Sequence, residues 1–327
     1  MRLRSIKRLL REWGLILCIA VIIIIATIIR PAFLSFGNIM NILRAYSTIG
    51  IASIGMTYVI ICGGMDLAVG STISLSAVIT MMIVNLTVAG SHSPPHAVFI
   101  VIFTGLLVGA IVGLANGVII ASVNGRMGES FIITFAMQIV IAALAQALVK
   151  GTFQAASYST GLFKQLGIGM TPILLFVVVA VIMQLLLTKT MFGRYMYFLG
   201  ANMNAAKMAG IKIANVRIMA HVFCGACAGL AGVLIVSRVN SASPLQGVGY
   251  ELEAMASVAV GGTSLAGGTG SVLKTVLGVL VIGVLLTALN ILGVKSDAQL
   301  VARGSVIIFA VILDSWNKRA ATKEAAK

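Results

Sequence analysis

The chain has 327 residues, of which 60% are hydrophobic and 9% charged, and a formal net charge of +15; its mean hydropathy is +1.10. Soluble domains carry roughly 25% charged residues, so a water-facing globule is excluded. The Lys and Arg residues stand between apolar runs rather than in one basic patch, which excludes nucleic acid as the partner they serve.

Apolar runs of about 20 residues, enough to cross a ~30 Å hydrocarbon core, recur from end to end. They are apolar all round rather than alternating, so the spans are helices and not barrel strands. The basic start "MRLRSIKRLLR" leads into "WGLILCIAVIIIIATII" with no small-residue cleavage site before Arg30-Pro31, which predicts an uncleaved first span. Further spans are predicted over 46–61, 67–87, 97–121, 131–149, 172–188, 217–237, 272–292 and 298–314. All five prolines lie near the ends of these runs, where they cost least. The stretch "ELEAMASVAV", 251–260, is apolar but short, and carries Glu251 and Glu253.

Charge counting bears on that stretch. If it counts as a crossing there are ten spans, and both termini share a side. That side then holds five Lys/Arg in the N-tail, Arg126, five in 189–217, Lys274 and four in the C-tail, sixteen of the 23 in the chain. Without it the division of the same 23 becomes 13 against ten. The positive-inside rule favours ten spans with both termini cytoplasmic; a re-entrant element over 251–260 satisfies the same parity. The expected fold is a single all-α polytopic membrane domain, 1–327, of about ten transmembrane helices.

Packing signals are plain. Gly105, Gly109, Gly113 and Gly117 stand at four-residue spacing in "GLLVGAIVGLANG", a smooth stripe that lets another helix approach closely. Packing within one subunit is the simpler expectation, a subunit interface the alternative. Cys224 and Cys227 form C-x-x-C, but among small residues they read as helix packing, with no second pair to hold a metal. "VIICGGMDLAVGS" (59–71) echoes "VAVGGTSLAGGTGS" (258–271) through a shared G-G-x-x-L-A.

Chemical motifs are sparse, and no metal or cofactor is expected. "GGTGSVLKT" fails as a phosphate loop because Leu273 stands where a glycine must precede Lys274. There is no H-E-x-x-H, no G-x-S-x-G and no paired catalytic carboxylate. His221 is alone in a span, as a hydrogen-bonded packing residue usually is. Asp66, in "GGMDLAVGS", reads as the N-cap of the third helix, with a role in a substrate or ion path as the alternative. The amides Asn85, Asn116, Gln138, Gln146, Gln184 and Asn290 lie in or near spans, where each needs a partner. Helix–helix hydrogen bonding is the simpler expectation, and Asn116 and Asn290 are the candidates for lining a path.

The segment "GANMNAAKMAGIKIANVR", 200–217, gathers polar and basic residues into the largest loop on the basic side, about 189–216. Its centre reads as a miniature helix with Asn204 as N-cap. Ala205, Ala206, Lys207, Met208 and Ala209 are good helix formers, and Gly210 is placed for a left-handed C′. An exposed Met208 beside small alanines suits docking into a groove on a partner.

"NAAKMAG" resembles the E-A-A-x-x-x-G coupling motif of ABC-importer permeases, with Asn204 where that pattern often has Glu. Together with "GGMDLAVGS" and "GYELEAMASVAVGGTSLAGGTGS", it makes nearly the whole chain similar to the permease subunit of the ribose/xylose/arabinose/galactose class of ABC importers. The resemblance implies a type II ABC-importer-like permease fold in the bacterial inner membrane and import of a monosaccharide. It implies as partners a cytoplasmic ATPase docking on residues 204–210, a second permease subunit, and a periplasmic or lipoprotein sugar-binding protein. ATP hydrolysis would then reside on a separate chain. Another small polar solute (a nucleoside, a furanosyl signal molecule or a branched-chain amino acid) is the alternative within the class, and a secondary carrier the alternative outside it.

Overall fold

The computed structural model describes residues 16–312 except 18, 88–94, 124, 126, 152–153, 156–160, 296, 307 and 310–311. The helices are α1 (Ile19–Ile29), α2 (Phe36–Ile61), α3 (Val69–Thr87), α4 (Pro95–Ser122), α5 (Met127–Leu148), α6 (Gly161–Gly167), α7 (Thr171–Lys189), α8 (Met191–Ala201), α9 (Met203–Met208), α10 (Ile213–Val239), α11 (Tyr250–Val260) and α12 (Val272–Ile291). A last helix, α13, covers 297–306. Six of these, α3, α4, α5, α7, α10 and α12, are long and apolar enough to cross a membrane by length and composition. The protein is an all-α polytopic membrane protein.

Two helices form the interior. From Ser47 to Ile61 every residue of α2 is buried, and α10 is buried on nearly every side from Cys224 to Ser237. Around them α10 packs on α4, α2 and α3. The α4–α10 contact explains the glycine stripe. A Cβ on Gly109 would stand 1.9 Å from the Gly225 carbonyl oxygen, and one on Gly113 2.1 Å from that of His221. The stripe is answered from the other side, since a Cβ on Gly229 would meet the Gly105 oxygen at 1.9 Å. It is therefore spent inside the subunit. Cys224 and Cys227 belong to the same core, both within 2.8 Å of where a Gly55 Cβ would lie.

Helix α2 begins ten residues before the run predicted at 46–61, at Phe36. Its first turns hold Asn38, Asn41 and Arg44, and Arg44 reaches out to donate Nε–H to the Gly169 carbonyl (2.7 Å). Apolar runs mark hydrocarbon, whereas the backbone ladder runs on past it. The predicted span 298–314 corresponds to α13; its end and the C-tail lie outside the described residues.

The ambiguous stretch 251–260 is half of a composite passage. Strand β2 (Ser241–Ala242) pairs antiparallel with β1 (Gln154–Ala155) at one end of the bundle. The chain then turns inward until Gly247 N–H donates to Ser74 Oγ (2.8 Å), and Gly249 at φ +87 starts α11. The eleven residues of α11 rise only about 16 Å. They end in the turn 261–271, which meets the α8–α9 end of the bundle: Gly268 N–H donates to Ile61 O (2.9 Å) and Tyr197 Oη–H to Gly270 O (2.8 Å). A leg of successive turns, 243–249, plus a half-helix thus carries the chain from one end to the other.

The glycine seam generates a test. Gly109→Val would drive a side chain into a backbone that has no room to yield, at a cost of about 3 kcal/mol. We expect loss of monodisperse protein in detergent extracts, measured by size-exclusion chromatography. Gly128→Ala should leave the profile unchanged, because nothing lies within 4 Å of a Cβ there.

Candidate functional site

Three helix ends converge around α9. Helix α2 stops at Gly63 (φ +77) with Gly64 N–H donated to Val59 O (3.0 Å). Helix α11 stops in the same way at Gly262 (φ +82), with Thr263 N–H donated to Val258 O (3.2 Å). The echo between 59–71 and 258–271 is thus a shared helix stop, in a register that matches Gly63 to Gly262 and Val59 to Val258. That register is one residue off the G-G-x-x-L-A match. The turns touch: a Cβ on Gly267 would meet Gly63 Cα at 2.9 Å, and one on Gly200 the Ile61 oxygen at 1.9 Å.

Helix α9 packs on α8 and α10 beside this platform. Its N-cap is Asn202, whose Oδ1 accepts Ala205 N–H (3.0 Å), and not Asn204 as predicted. Asn202 is extended (φ −158°, ψ 102°) and α8 ends just before it, so the helix starts two residues early and Asn204 becomes an exposed residue of its first turn. The stop is where the sequence predicts it. Gly210 has φ +76, and Ile211 N–H closes the end on Ala206 O (3.1 Å). Ala206 is fully buried against the bundle, while Met208 is 89% exposed. One face of α9 is therefore fastened and the other free.

Beside α9 lies a cleft of about 270 Å³ between Gly63, Met127, Gly200, Asn202, Asn204 and Arg217. Arg217, in the second turn of α10, is 7% exposed. Its Nη2 contacts Met203 Sδ (3.4 Å), and its Nη1 has no hydrogen-bond partner. Sequence reasoning counted this residue as loop charge; that it stands as the cationic end of "IANVR" on an otherwise uncharged helix turn was the available signal.

Asp66 and Asn116 are brought together, deeper in the bundle. Asp66 is buried, and its Oδ1 accepts Ala68 N–H (3.0 Å) and Asn116 Nδ2–H (3.3 Å). It is not the N-cap: Ala68 O receives the first helical bond, from Thr72 N–H (2.8 Å). Because Leu67 and Ala68 already turn, the carboxylate reaches only the lead-in of α3. Hydroxyls of α5 complete that lead-in, with Met65 N–H on Ser130 Oγ (3.2 Å) and Leu67 N–H on Thr134 Oγ1 (3.1 Å). His221 acts electrostatically on the same carboxylate. Its Nδ1 lies 2.9 Å from the Arg217 carbonyl, which can only accept, so Nδ1 carries a proton there; Nε2 has no hydrogen-bond partner.

Asn290 stands apart, exposed on the last turn of α12, at the end opposite α9. The other amides are accounted for by packing. Gln184 Oε1 accepts Leu273 N–H (3.2 Å) at the start of α12, Asn85 Nδ2 donates to Ala155 O (3.1 Å), and Gln138 Nε2 donates to Glu251 Oε1 (3.4 Å); Gln146 is exposed on α5. Glu253, next on the first turn of α11, pairs with Arg303 (3.4 Å). That ion pair ties α13 to α11 and was not anticipated from the sequence, where Arg303 reads as one more flanking charge.

Asp66 yields a second test. Asp66→Asn keeps an acceptor for Ala68 N–H and should retain most transport at normal membrane abundance. Asp66→Leu strands that donor and the Asn116 amide, about 1–3 kcal/mol each, and should lower the folded amount severalfold by immunoblot. Loss of transport by the Asn variant at full abundance would show that the charge itself is required.

Comparison with known proteins places this architecture. The family whose model matches residues 38–311 is described as branched-chain amino acid transport system / permease component. The chain is 35% identical over 316 residues to the ribose import permease protein RbsC of Escherichia coli K12, covering 94% of this chain and 95% of that one. It is 38% identical over 311 residues to RbsC of Bacillus subtilis 168, covering 93% of each. It is 33% identical over 320 residues to the L-arabinose transport system permease protein AraH of E. coli K12, covering 97% and 94%. No solved structure matches the chain significantly. With a family match over most of its length and relatives aligned nearly end to end, the chain belongs to this permease family and is a transmembrane subunit of an ABC importer.

Proposed function

We propose that the protein imports a monosaccharide, a pentose or hexose, delivered by an extracytoplasmic binding protein and driven by an ATPase on a separate chain. The observation that carries this reading is near end-to-end similarity to permeases named for ribose and for arabinose. The test is ATP-driven uptake in proteoliposomes holding the permease, its ATPase and its binding protein. Uptake of ribose or arabinose is expected. Uptake of leucine or a nucleoside with no sugar uptake would overturn the sugar assignment.

In this reading the whole chain acts as one transmembrane domain, paired with a second permease subunit across a central path. The α9 end faces the cytoplasm, where residues 204–210 dock on the ATPase through the free face that carries Lys207 and Met208. Closure of the ATPase dimer pushes α9. The push passes through buried Ala206 to α8 and α10, from the Gly200 end of α8 to the turns at Gly63 and Gly267, and from there to α2, α11 and α12. Asp66 and Asn116 hold the interior in this account, and Asn290 is the amide left to face a path.

Gly210 separates assembly from coupling. A Cβ there meets nothing within 4 Å, so only the positive φ is strained, by about 1–3 kcal/mol. Gly210→Val should insert normally, retain the ATPase poorly and lose uptake, whereas Gly210→Asn, which tolerates that φ, should keep most of it. Met208→Cys should cross-link to the ATPase subunit and Phe36→Cys, at the far end of α2, should not.

Orientation is checked separately. A reporter active only in the cytoplasm, fused after Lys327, should be active; activity from a periplasm-specific reporter alone would reverse the assignment of ends.

A further inference from the structure

We propose that Arg217 is the permease's half of an ion pair across the docking interface. An acidic side chain of the ATPase subunit enters the cleft beside α9 and pairs with the guanidinium. The inference rests on the docking reading above and adds to it a residue, a charge and a route into the core.

Burial without a partner is the first reason. Arg217 is 7% exposed and Nη1 has no acceptor, whereas a buried charge persists at reasonable cost only when paired. Within the chain, the Glu129 carboxylate at the start of α5 acts on it electrostatically, yet the Nη1 position stays unfilled. The contact of Nη2 with Met203 Sδ supplies a weak acceptor and no charge. An arginine fork is built to hold a carboxylate through two parallel bonds.

Location is the second reason. Arg217 lines a cleft that opens beside α9, together with Asn202 and Asn204. A side chain from whatever covers α9 would enter this cleft beside Arg217 and pair with it once the buried guanidinium turns outward.

The third reason is charge complementarity. Residues 189–217 contain five Lys/Arg and no Asp or Glu. Lys189, Arg194, Lys207 and Lys212 of this segment are exposed, so the partner surface that fits here is acidic. Four exposed cations steer and orient such a partner, and the buried one, shielded from water, provides the contact that locks.

The pair would also change what is pushed. Arg217 sits on α10, the helix that packs on α2, α3 and α4. A carboxylate held there would join the ATPase to the central helix of the subunit, in addition to the surface helix α9.

The test uses full-length permease co-expressed with its ATPase and purified in detergent. Arg217→Met keeps the apolar stem and removes the charge, so the permease alone should retain its Tm or gain, as when a buried unpaired charge is replaced by an apolar group of similar size. Its affinity for the ATPase should fall about thirtyfold or more, the effect of truncating one side of a buried charge pair. Arg217→Lys should lie between. Arg217→Glu should lose the ATPase and regain it when one acidic residue of the ATPase groove is changed to Arg. Unchanged ATPase affinity in Arg217→Met, with Met208→Cys still cross-linking, overturns the ion pair and leaves docking intact; absence of that cross-link with Arg217 in place overturns the docking reading itself. A Tm rise caused by inorganic phosphate in the wild-type permease but not in Arg217→Met, with ATPase affinity equal in both, marks a free-anion site and overturns the proposal. Failure of both Arg217→Met and Arg217→Lys to fold assigns Arg217 to the structure of the subunit and overturns it equally.

Discussion

Everything in this subunit hangs on the close approach of α4 and α10. Lipid offers helices no hydrophobic force to associate, so they must gain dispersion and weak polar contacts from proximity. Here backbone meets backbone: Gly105, Gly109 and Gly113 face the carbonyls of Gly229, Gly225 and His221 at distances no Cβ would permit. Once α10 is seated this way, its remaining faces are available to α2 and α3, with Gly55 and Gly232 admitting the second and third contacts. The seam also fixes what the N-terminal turns of α10 present. His221 is delivered to the Asp66–Asn116 site and Arg217 to the cleft beside α9, one turn apart on the same helix.

The second organising feature is the set of glycine stops at one end. Gly63, Gly210 and Gly262 each end a helix with positive φ, which satisfies carbonyls that would otherwise point into an apolar medium. The turn after α2 meets the turn after α11 and the last turn of α8, Gly63 and Gly200 both lying against Gly267, and α9 packs on α8 and α10 beside them. In the docking reading, α9, fastened by buried Ala206, passes displacement to α8 and α10 and on to these turns, because close-packed backbone cannot absorb it. Lengthening any of these turns would loosen the connection.

Polar groups in the interior follow the same accounting. Asp66, Gln184 and Ser74 each bond a backbone N–H that a helix break leaves open, at the lead-in of α3, the start of α12 and the turn at Gly247, and Gln138 bonds the Glu251 carboxylate at the entry to α11. Breaks in the helices and polar side chains in the spans are two aspects of one design. Each kind of irregularity satisfies the other.

The sequence by itself determined the class and most of the spans, because the requirement is local: a segment in hydrocarbon must be apolar over a fixed length, and composition shows this without reference to neighbours. It also determined the glycine stripe and the left-handed stop at Gly210, since both depend on the absence of a Cβ at one position. Similarity of whole motifs identified the permease family. Only the tertiary structure decided the rest. Asn202 capped α9 in place of Asn204 because α8 ends where it does. Asp66 fell short of the N-cap because the turn at Leu67-Ala68 intervenes. The passage through 240–260 was made by a leg of turns and a half-helix, which no hydropathy window resolves, because Ser74 and Gln138 from other helices bond to Gly247 N–H and the Glu251 carboxylate along it. Arg217 looked like any flanking cation until folding enclosed it, because burial is a property of the assembled neighbours and not of the residue.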